Sequence, residues 1–214
     1  MGTLYISLII VVLDQVTKLL VKGFSIPFLK INYYGMWQGQ SIPIIGDFFR
    51  ITFVENPGMA FGVDLGSSVK LAISLFSFVA GVGLIFYLYS IRNQNLNLRI
   101  SIAMIIGGAF GNFIDRMFYG VFYSYAPFFY GKVVDFLDFN FFKFEILGRS
   151  YDRFPIFNIA DSSVSIGVFL LLVFYKKYHK EAESKSKEEN VPVENIEKKE
   201  TNNAKYNIGE EVHI

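Results

Sequence analysis

Four aspartates lie in or beside apolar stretches of this sequence, where carboxylates are unusual. An ionisable group at membrane depth costs about +2.5–3.5 kcal/mol even on the mildest scale, unless it is paired. A chain that keeps several such groups is therefore expected to use them. Each aspartate belongs to a short polar cluster, and the clusters are Asp14 with Thr17 and Lys18, Asp115 with Asn112 and Arg116, Asp135 after Lys132, and Asp161 with Asn158 and Ser162.

Asp135 and Asp161 are the acids best suited to catalysis, because no basic residue within a predicted span stands at helical spacing from either of them. Two carboxylates that face each other in a partly dry site cannot both ionise cheaply, so one of them keeps a proton. The ionised acid can take a proton from water, and the protonated acid can polarise a carbonyl group. Such a pair hydrolyses a peptide without a cofactor. Spacing alone leaves Asp115 open as the partner in place of Asp135.

Asp14 and Asp115 each stand near a basic residue, and a paired acid is a poor general base. Residues three or four apart share a face of a helix, and this spacing suits an ion pair between Asp14 and Lys18. Asp115 lies directly beside Arg116 and is expected to be held by it. The alternative for all these clusters is a structural role, in which polar contacts hold helices together.

The composition excludes several classes of site. The chain has no Cys, which rules out disulfides, a thiolate nucleophile and a Cys-based metal site. Its two histidines, His179 and His213, stand in or at the edge of the C-terminal tail, so neither a His-ligated metal nor a Ser-His triad is expected. The formal net charge is +1 without a basic patch, which indicates no nucleic-acid partner. Neither a metal nor a cofactor is expected.

Four apolar stretches must position these clusters. A bilayer core about 30 Å thick needs ~20 residues of helix to cross it. The sequence offers four stretches of this length, and they predict an all-α membrane protein with four transmembrane helices at about 3–22, 69–91, 98–118 and 156–175. Gly107 and Gly111 form a small-xxx-small pattern in the third stretch, which predicts close packing against neighbouring helices.

The connecting segments and the tail differ in amino-acid composition. The membrane domain is predicted to end at residue 175, and the charged segment 176–214 is predicted to be a disordered tail because it lacks apolar periodicity. The alternating residues Ile51–Val54 in outer segment 23–68 predict a short strand. Outer segment 119–155 is rich in aromatic residues, which predicts a loop or helix resting on the membrane surface.

Basic residues orient the spans. The short connector between the second and third stretches contributes Arg92 and Arg99, and the tail begins with Lys176 and Lys177. Cytoplasmic segments are enriched in Lys and Arg, so both termini are placed in the cytoplasm and both long segments outside. With this topology the polar clusters converge on the outer leaflet. The sequence thus predicts a one-sided site in a multi-pass membrane protein.

Five motifs carry a family resemblance and cover most of residues 4–175. In order they read Asp14-Gln-Val-Thr-Lys18, Asn56-Pro-Gly-Met-Ala-Phe61, Gly107-Gly-Ala-Phe-Gly-Asn-Phe-Ile-Asp-Arg116, Val133-Val-Asp-Phe136 and Phe157-Asn-Ile-Ala-Asp-Ser162. Together they resemble bacterial lipoprotein signal peptidase, signal peptidase II. The resemblance implies four transmembrane helices, a small extracytoplasmic β-cradle and an aspartic mechanism without metal. It implies removal of the signal peptide from diacylglyceryl-modified prolipoproteins, with the cut before the lipidated Cys. We expect a monomer that contacts membrane lipids.

The resemblance also implies roles for individual residues. It places the catalytic pair on Asp135 and Asp161, which decides by resemblance, and not by spacing, between Asp135 and Asp115. Further positions match residues that shape the site or hold the substrate, and these are Asp14, Lys18, Asn56, Gly58, Gly108, Asn112, Asp115, Arg116, Asn158 and Ala160. The segment between Arg116 and Val133 is longer than in many members of the family. We expect Tyr119–Lys132 to form a membrane-resting flap over the site.

Two other classes of protein fit buried polar groups in a membrane. A small proton-coupled transporter would use Asp, Asn and Lys to build an ion path. Such a path needs polar residues throughout the membrane, whereas 100–106 and 168–174 contain almost none. A non-catalytic scaffold would use the same groups only to hold helices together, and its function would tolerate Asp→Asn changes.

Overall fold

The structure, a computed structural model, describes residues 2–58, 66–141, 144–146, 149–151 and 153–189. The helices in this part of the chain are α1 Leu4–Lys22, α2 Gly66–Ser90, α3 Leu96–Ile114, α4 Gly120–Phe122 and α5 Ile159–Glu189. A π-helical segment, Asp115–Tyr119, continues α3 into α4. Two compact units divide the chain at residues 171 and 172, and the sheets and polar clusters belong to the first.

Three helices in the described ranges are long and apolar enough to cross a membrane. They cover Leu4–Lys22, Ser68–Ser90 and Leu96–Phe122, with mean hydropathies of 2.0, 2.3 and 1.3. The apolar part of α5, Ile159–Tyr175, is shorter. The fourth helix was predicted to begin at residue 156, but α5 begins at Ile159, three residues later. Phe157 pairs with a strand and Asn158 caps the helix, so neither residue joins its first turn.

The exposure pattern of α1 is inverted relative to a soluble helix. Leu8, Val12 and Leu13 are more than half exposed, whereas the charged side chains of Asp14 and Lys18 are completely buried. A helix surrounded by hydrocarbon exposes its apolar side chains and turns ionisable groups towards the protein interior. The pattern is therefore that of a membrane-spanning helix whose charged face packs against α3.

The strands form small antiparallel sheets. A hairpin of β1 Phe24–Ile26 and β2 Ile31–Tyr33 follows α1, and β6 Phe144–Ile146 pairs with β7 Arg149–Tyr151. The third sheet has the order β3-β4-β5, built from β3 Ser41–Ile45, β4 Phe49–Asn56 and β5 Val133–Phe139. The strand predicted at Ile51–Val54 lies within β4. Because β5 follows α3 in sequence, this sheet joins both segments that were predicted to lie outside the spans.

The pairing of β4 with β5 sets which residues face each other near the polar clusters. Val54 pairs with Asp135, Glu55 with Val134, and Asn56 with Val133. The register shifts between Ile51 and Val54, where one strand carries an irregularity. Bulges of this kind re-aim side chains and are common next to functional sites.

The segment after α4 folds back onto the ends of three helices. The Gly131 N–H donates to the Arg116 carbonyl at 2.8 Å, and the Tyr123 hydroxyl donates to the Gly23 carbonyl at 2.7 Å. The Ser74 hydroxyl of α2 donates to the Phe129 carbonyl at 3.1 Å. The segment predicted to be a flap is thus a closed loop tied to α1, α2 and the end of α3. Its function as a flap stays a prediction.

The tail differs from its prediction in the part that the structure describes. Helix α5 continues to Glu189, whereas disorder was predicted from residue 176. The residues from 176 to 189 are mostly Lys, Glu and Ala, which have high helix propensity and extend a helix that is already nucleated. The rest of the predicted tail, 190–214, lies outside the described residues.

The glycines of α3 allow close helix packing. A Cβ at Gly107 would lie 2.9 Å from Cβ of Ile10 in α1, and one at Gly108 would lie 2.3 Å from the Ala160 carbonyl oxygen in α5. At Gly111 it would lie 2.7 Å from Oδ2 of Asp14. Side chains at these positions would force the helices apart. The packing predicted from Gly107 and Gly111 is present, and it brings α1 and α5 against α3.

Replacement of Gly108 by Ala is expected to destabilise the fold by about 1–3 kcal/mol, because overpacking forces backbone shifts. Gly83 in α2 is the matched control, since nothing lies within 4 Å of a Cβ built there. Gly83→Ala is expected to be neutral or to stabilise its helix by up to about 1 kcal/mol. Thermal unfolding of the two variants in detergent measures the difference. Equal midpoints would contradict the close approach of α3 and α5.

Candidate active site

Asp161 lies in the first turn of α5, and Asn158 caps that helix. The Asn158 Oδ1 accepts a hydrogen bond from the Asp161 backbone N–H at 2.9 Å, and the Asp161 Oδ2 accepts one from the Asn158 backbone N–H at 3.2 Å. This reciprocal arrangement is a capping box. Asn112 of α3 donates from Nδ2 to the other Asp161 oxygen at 2.7 Å. The start of the helix and one asparagine therefore hold the Asp161 carboxylate in place.

Asp135 approaches the same Asn158 from β5. The Asn158 Nδ2 donates to Oδ1 of Asp135 at 2.7 Å, and the Asn56 side chain makes a second hydrogen bond to Asp135. Asp135 is only 3% exposed. Asn158 therefore contacts both Asp135 and Asp161, and the two acids share one site although they come from a strand and a helix.

The environment of Asp135 favours its protonated form. Burial, followed by the nearby charge of Asp161, raises the pKa of Asp135 to about 7, against the opposing hydrogen bonds from Asn56 and Asn158 and the charge of Lys18. A carboxyl group with this pKa keeps a proton through most of the range below neutral pH. Asp135 can therefore donate a hydrogen bond where an ordinary carboxylate can only accept.

Lys18 is the centre of a second group of buried charges. Its Nζ lies 2.8 Å from Oδ2 of Asp14 and 2.8 Å from Oδ2 of Asp115, and the side chains of all three residues are completely buried. The same Nζ donates to Asn112 Oδ1 at 2.9 Å. The ion pair predicted between Asp14 and Lys18 is present. Asp115, which the sequence placed beside Arg116, has its close ionic contact with Lys18.

The two acids bound to Lys18 also hold the backbone beside Asp135 and Asp161. Oδ1 of Asp14 accepts a hydrogen bond from the Ala160 N–H at 2.9 Å, and Ala160 precedes Asp161. Oδ2 of Asp115 accepts one from the Val134 N–H at 3.1 Å, and Val134 precedes Asp135. Asp14 and Asp115 are therefore fully engaged as acceptors and act as a frame. Asp14 fixes the residue before Asp161, and Asp115 fixes the residue before Asp135.

Gln15 belongs to this frame but was not singled out in the sequence. Its Nε2 donates to Asp115 Oδ1 at 2.8 Å and to the Gly111 carbonyl at 3.1 Å, and its Oε1 accepts from the Tyr119 hydroxyl at 3.1 Å. Gln15 directly follows Asp14 in the first motif, which was the only available signal. Its contacts fall on residues about a hundred positions away, which no local pattern reveals.

Asn56, Gly58 and Arg116 complete the surroundings of the two acids. The Gly58 N–H donates to Asn56 Oδ1 at 2.9 Å, which leaves the Asn56 amide nitrogen for Asp135. Gly58 has a φ of 89°, a conformation that favours glycine. Arg116 is close enough to Asp135 and Asp161 to interact electrostatically with both. Residues 59–61 of the second motif lie outside the described residues.

The predicted clusters thus meet in one network at one end of the helices. It joins the second half of α1, the end of α3, the start of α5 and strands β4 and β5. Within the described ranges, no group of three His, Cys, Asp or Glu residues is arranged to hold a metal ion. The arrangement provides a buried acid with a raised pKa, a second acid at hydrogen-bonding range of the same asparagine, and a cation nearby. Such a site suits general acid–base chemistry.

Known proteins are similar to this chain over most of its length. A family model described as signal peptidase (SPase) II matches residues 6–176. A lipoprotein signal peptidase of Pelodictyon phaeoclathratiforme is 36% identical over 172 residues, which cover 80% of this chain and 88% of that protein. A lipoprotein signal peptidase of Porphyromonas gingivalis is 36% identical over 201 residues, which cover 79% and 80% of the two chains.

Solved structures agree with these relatives. A bacterial membrane enzyme determined by the in meso method at 1.9 Å resolution aligns with a TM-score of 0.59 and 32% identity, covering 81% of this chain and 92% of that one. A second such structure, at 2.3 Å resolution, aligns with a TM-score of 0.55 and 32% identity, covering 82% and 88%. The fold of apolar helices with small β-sheets is therefore similar to that of a known membrane enzyme.

Proposed function

The chain belongs to the signal peptidase II family, whose members are proteases that process lipoproteins, and on this premise we propose that it is an intramembrane aspartic endopeptidase. Its substrates are prolipoproteins whose lipobox Cys already carries diacylglycerol. It cuts immediately before that Cys and releases the signal peptide. Asp135 and Asp161 are its catalytic residues, and it needs no metal or cofactor.

The contacts of Asn158 are the observation that carries this proposal. Asn158 bonds Asp135 and Asp161 at the same time, whereas Asp14 and Asp115 are occupied by Lys18 and by backbone N–H groups. An acid that already accepts an ion pair and a backbone hydrogen bond is a poor base. This supports Asp135, and not Asp115, as the partner of Asp161. It agrees with the roles that the motifs imply.

The two acids divide the chemistry of peptide hydrolysis between them. Burial and the nearby Asp161 raise the pKa of Asp135, so we assign the acid role to Asp135 and the base role to Asp161. Asp161 takes a proton from the attacking water, while Asp135 donates a hydrogen bond to the scissile carbonyl. The new hydroxyl adds to the carbonyl carbon. A proton then passes to the leaving nitrogen, the C–N bond breaks, and a carboxyl and an amine result.

The position of the site suits a substrate that is anchored in lipid. The polar network lies where α1 and α3 end and α5 begins, so a peptide attached to acyl chains reaches it sideways from the bilayer. Burial of acyl chains contributes about 0.8 kcal/mol per CH₂ to affinity. We place both termini in the cytoplasm and the site near the outer leaflet of the inner membrane. The supporting residues Asn56, Gly58, Asn112 and Arg116 shape the cleft for the extended peptide, and a monomer is sufficient.

Cleavage of a purified prolipoprotein in detergent tests the proposed function. The diacylglyceryl-modified substrate and the same substrate without lipid are compared, and mass spectrometry of the products locates the cut. We expect cleavage only of the lipidated form, with the modified Cys as the new N-terminus. A cut elsewhere would contradict the assigned specificity. Failure to cut a verified substrate would leave a transporter or scaffold as the function.

The rate of cleavage is expected to fall as the pH rises through the pKa of Asp135, about 7. The sign follows because the raised pKa keeps Asp135 protonated below that value, and the mechanism uses the protonated form. Above it, loss of one proton lowers the rate about tenfold per pH unit. The charges that face Asp135 are Asp161 from α5, Lys18 from α1 and Arg116 from the π-helical segment. Steady-state rates between about pH 5 and 9 measure the profile, and a rate that rises across neutrality would contradict this assignment.

A further inference from the structure

Glu55 bridges two lysines from different parts of the chain. Its Oε1 contacts Nζ of Lys22 at the end of α1, and its Oε2 lies 3.1 Å from Nζ of Lys132, just before β5. The Glu55 side chain is 10% exposed. Burial alone would raise the pKa of Glu55, but hydrogen bonds and attraction from Lys22, and then from Lys132, hold it below its ordinary value. Glu55 is therefore a buried carboxylate at neutral pH.

Two tyrosines from the loop after α4 cover these charges. Nζ of Lys22 lies 4.2 Å from the ring centre of Tyr123 and 5.3 Å from that of Tyr125, and Nζ of Lys132 lies 5.3 Å from Tyr125. The Tyr125 hydroxyl also accepts a hydrogen bond from the Lys132 N–H at 2.8 Å. Cation–π contacts and partial burial strengthen such a group. We refer to Lys22, Glu55, Tyr123, Tyr125 and Lys132 as the Glu55 cluster.

In the β4–β5 pairing, Glu55 lies one residue away from Asp135. Glu55 pairs with Val134, which precedes Asp135, and it is followed by Asn56, which bonds Asp135. A shift at this end of β4 would move the Asn56 amide away from the Asp135 carboxyl. The cluster ties the end of β4 to α1 and to the loop after α4.

We propose that Glu55 is a positioning residue for the peptidase reaction, which holds Lys22 and Lys132 so that Asn56 meets Asp135. The proposal rests on the proposed function. It gives the long segment after α4 a second purpose, since Tyr123 and Tyr125 cover the two lysines. Glu55 itself touches neither Asp135 nor Asp161 in any contact that the described residues show. It acts through Asn56.

The direction of the change in pH dependence separates positioning from a simple effect of charge. The hydrogen bond from Asn56 lowers the pKa of Asp135. Loss of that hydrogen bond would therefore raise the pKa of Asp135 and move the fall in activity to higher pH. Removal of the negative charge of Glu55 without movement would leave two uncompensated lysines, and their attraction for a carboxylate would move the fall to lower pH. The two explanations therefore predict opposite shifts.

The test compares kcat, KM and pH profiles of Glu55→Ala, Asn56→Ala and the double variant. We expect Glu55→Ala and Asn56→Ala each to lower kcat about tenfold, and both to move the fall in rate to higher pH. In the double variant, the effects should not add, since both changes remove one contact. Asp47→Ala is the matched control, because Asp47 also joins two cations, Arg50 and Arg153, beside the same strand. It is expected to keep the wild-type kcat and profile.

Wild-type enzyme is assayed in parallel, so that failure of the proposed function is seen separately as an inactive wild type. With active wild type, a profile of Glu55→Ala that moves to lower pH, or effects that add in the double variant, would overturn the positioning role. The positioning role would also be overturned if Glu55→Ala changed kcat and the pH profile no more than Asp47→Ala does. If Glu55→Ala does not fold, Lys132→Ala replaces it, because the Lys132 side chain is 38% exposed. Its effect should again vanish in the Asn56→Ala background, and additive effects would refute the proposal.

Discussion

Asp161→Asn is expected to lower the rate of prolipoprotein cleavage by about 10²–10⁴-fold while the protein stays folded. The amide cannot take a proton from water, so the step that generates the nucleophile is lost. Asp135→Asn is expected to have an effect of the same size, because an amide is a far weaker acid than a carboxyl group and cannot give its proton to the scissile carbonyl oxygen. Initial rates on a lipidated substrate, with thermal unfolding of each variant in detergent, measure both effects.

Asp138 provides the matched control for these substitutions. It lies on the same strand as Asp135 and is 4% exposed, but it accepts hydrogen bonds from Thr52 and Arg153 at 2.7 and 3.0 Å, away from the site. Asp138→Asn is expected to leave the rate of the folded protein close to that of wild type. Asp115→Asn should keep residual activity, because Asp115 only supports the frame. A folded Asp135→Asn that still cuts, beside an inert Asp115→Asn, would show that Asp115 is the true partner of Asp161.

Lys18→Met is expected to cost about 3–5 kcal/mol of stability, the usual loss when one partner of a buried ion pair is removed. Asp14 and Asp115 would then remain buried without a cation, although both lie 2.8 Å from Lys18 Nζ in the wild type. Met fills a similar volume, so the loss arises from charge and not from a cavity. Unfolding of the detergent-solubilised variant by heat measures the change.

Two further variants make the Lys18 experiment specific. Lys30→Met changes an exposed lysine and is expected to leave the unfolding midpoint unchanged. The triple variant Lys18→Met, Asp14→Asn, Asp115→Asn removes all three charges but keeps an acceptor oxygen for Ala160 and Val134. It should recover a large part of the lost stability, since breaking a pair costs more than replacing it whole. Lys18→Met with wild-type stability would mean that the pair makes no net contribution.

Long apolar runs made the helices predictable, and the exceptions show what such runs omit. The bounds of α1 and α2 differ from their predictions by at most three residues, because both runs are apolar over most of their length and end at or beside a polar or glycine residue. The start of α5 was placed too early. Phe157 is apolar like most of the predicted stretch, but it pairs with Leu137 of β5, and only the fold brings that strand there.

The acid pair shows the same limit in the site. The Asn158 and Asp161 spacing is a capping-box signature and could be interpreted locally. The choice between Asp115 and Asp135 could not be made locally. It depends on which of them forms an ion pair with Lys18, and that contact joins α1 to the end of α3. The roles of Gln15 and Glu55 could not be predicted from the sequence for the same reason. Gln15 is separated from its partner Asp115 by 100 residues, and Glu55 is separated from its partner Lys132 by 77 residues.

The contact between Asp14 and Lys18 lies within one helix, and this bears on how the chain enters the membrane during synthesis. Ala160, which donates to Asp14, is made 146 residues later, a delay of about 7–30 s at usual rates of translation. Asn112, which accepts from Lys18, is made 94 residues after it, and Asp115 follows shortly. Until then α1 has only its own residues to neutralise its charges. The pair lets the nascent helix leave the translocon without net charge at its buried face. Loss of Lys18 would therefore impair insertion of α1 itself, whereas loss of Asp115 would act only after the third helix is in place.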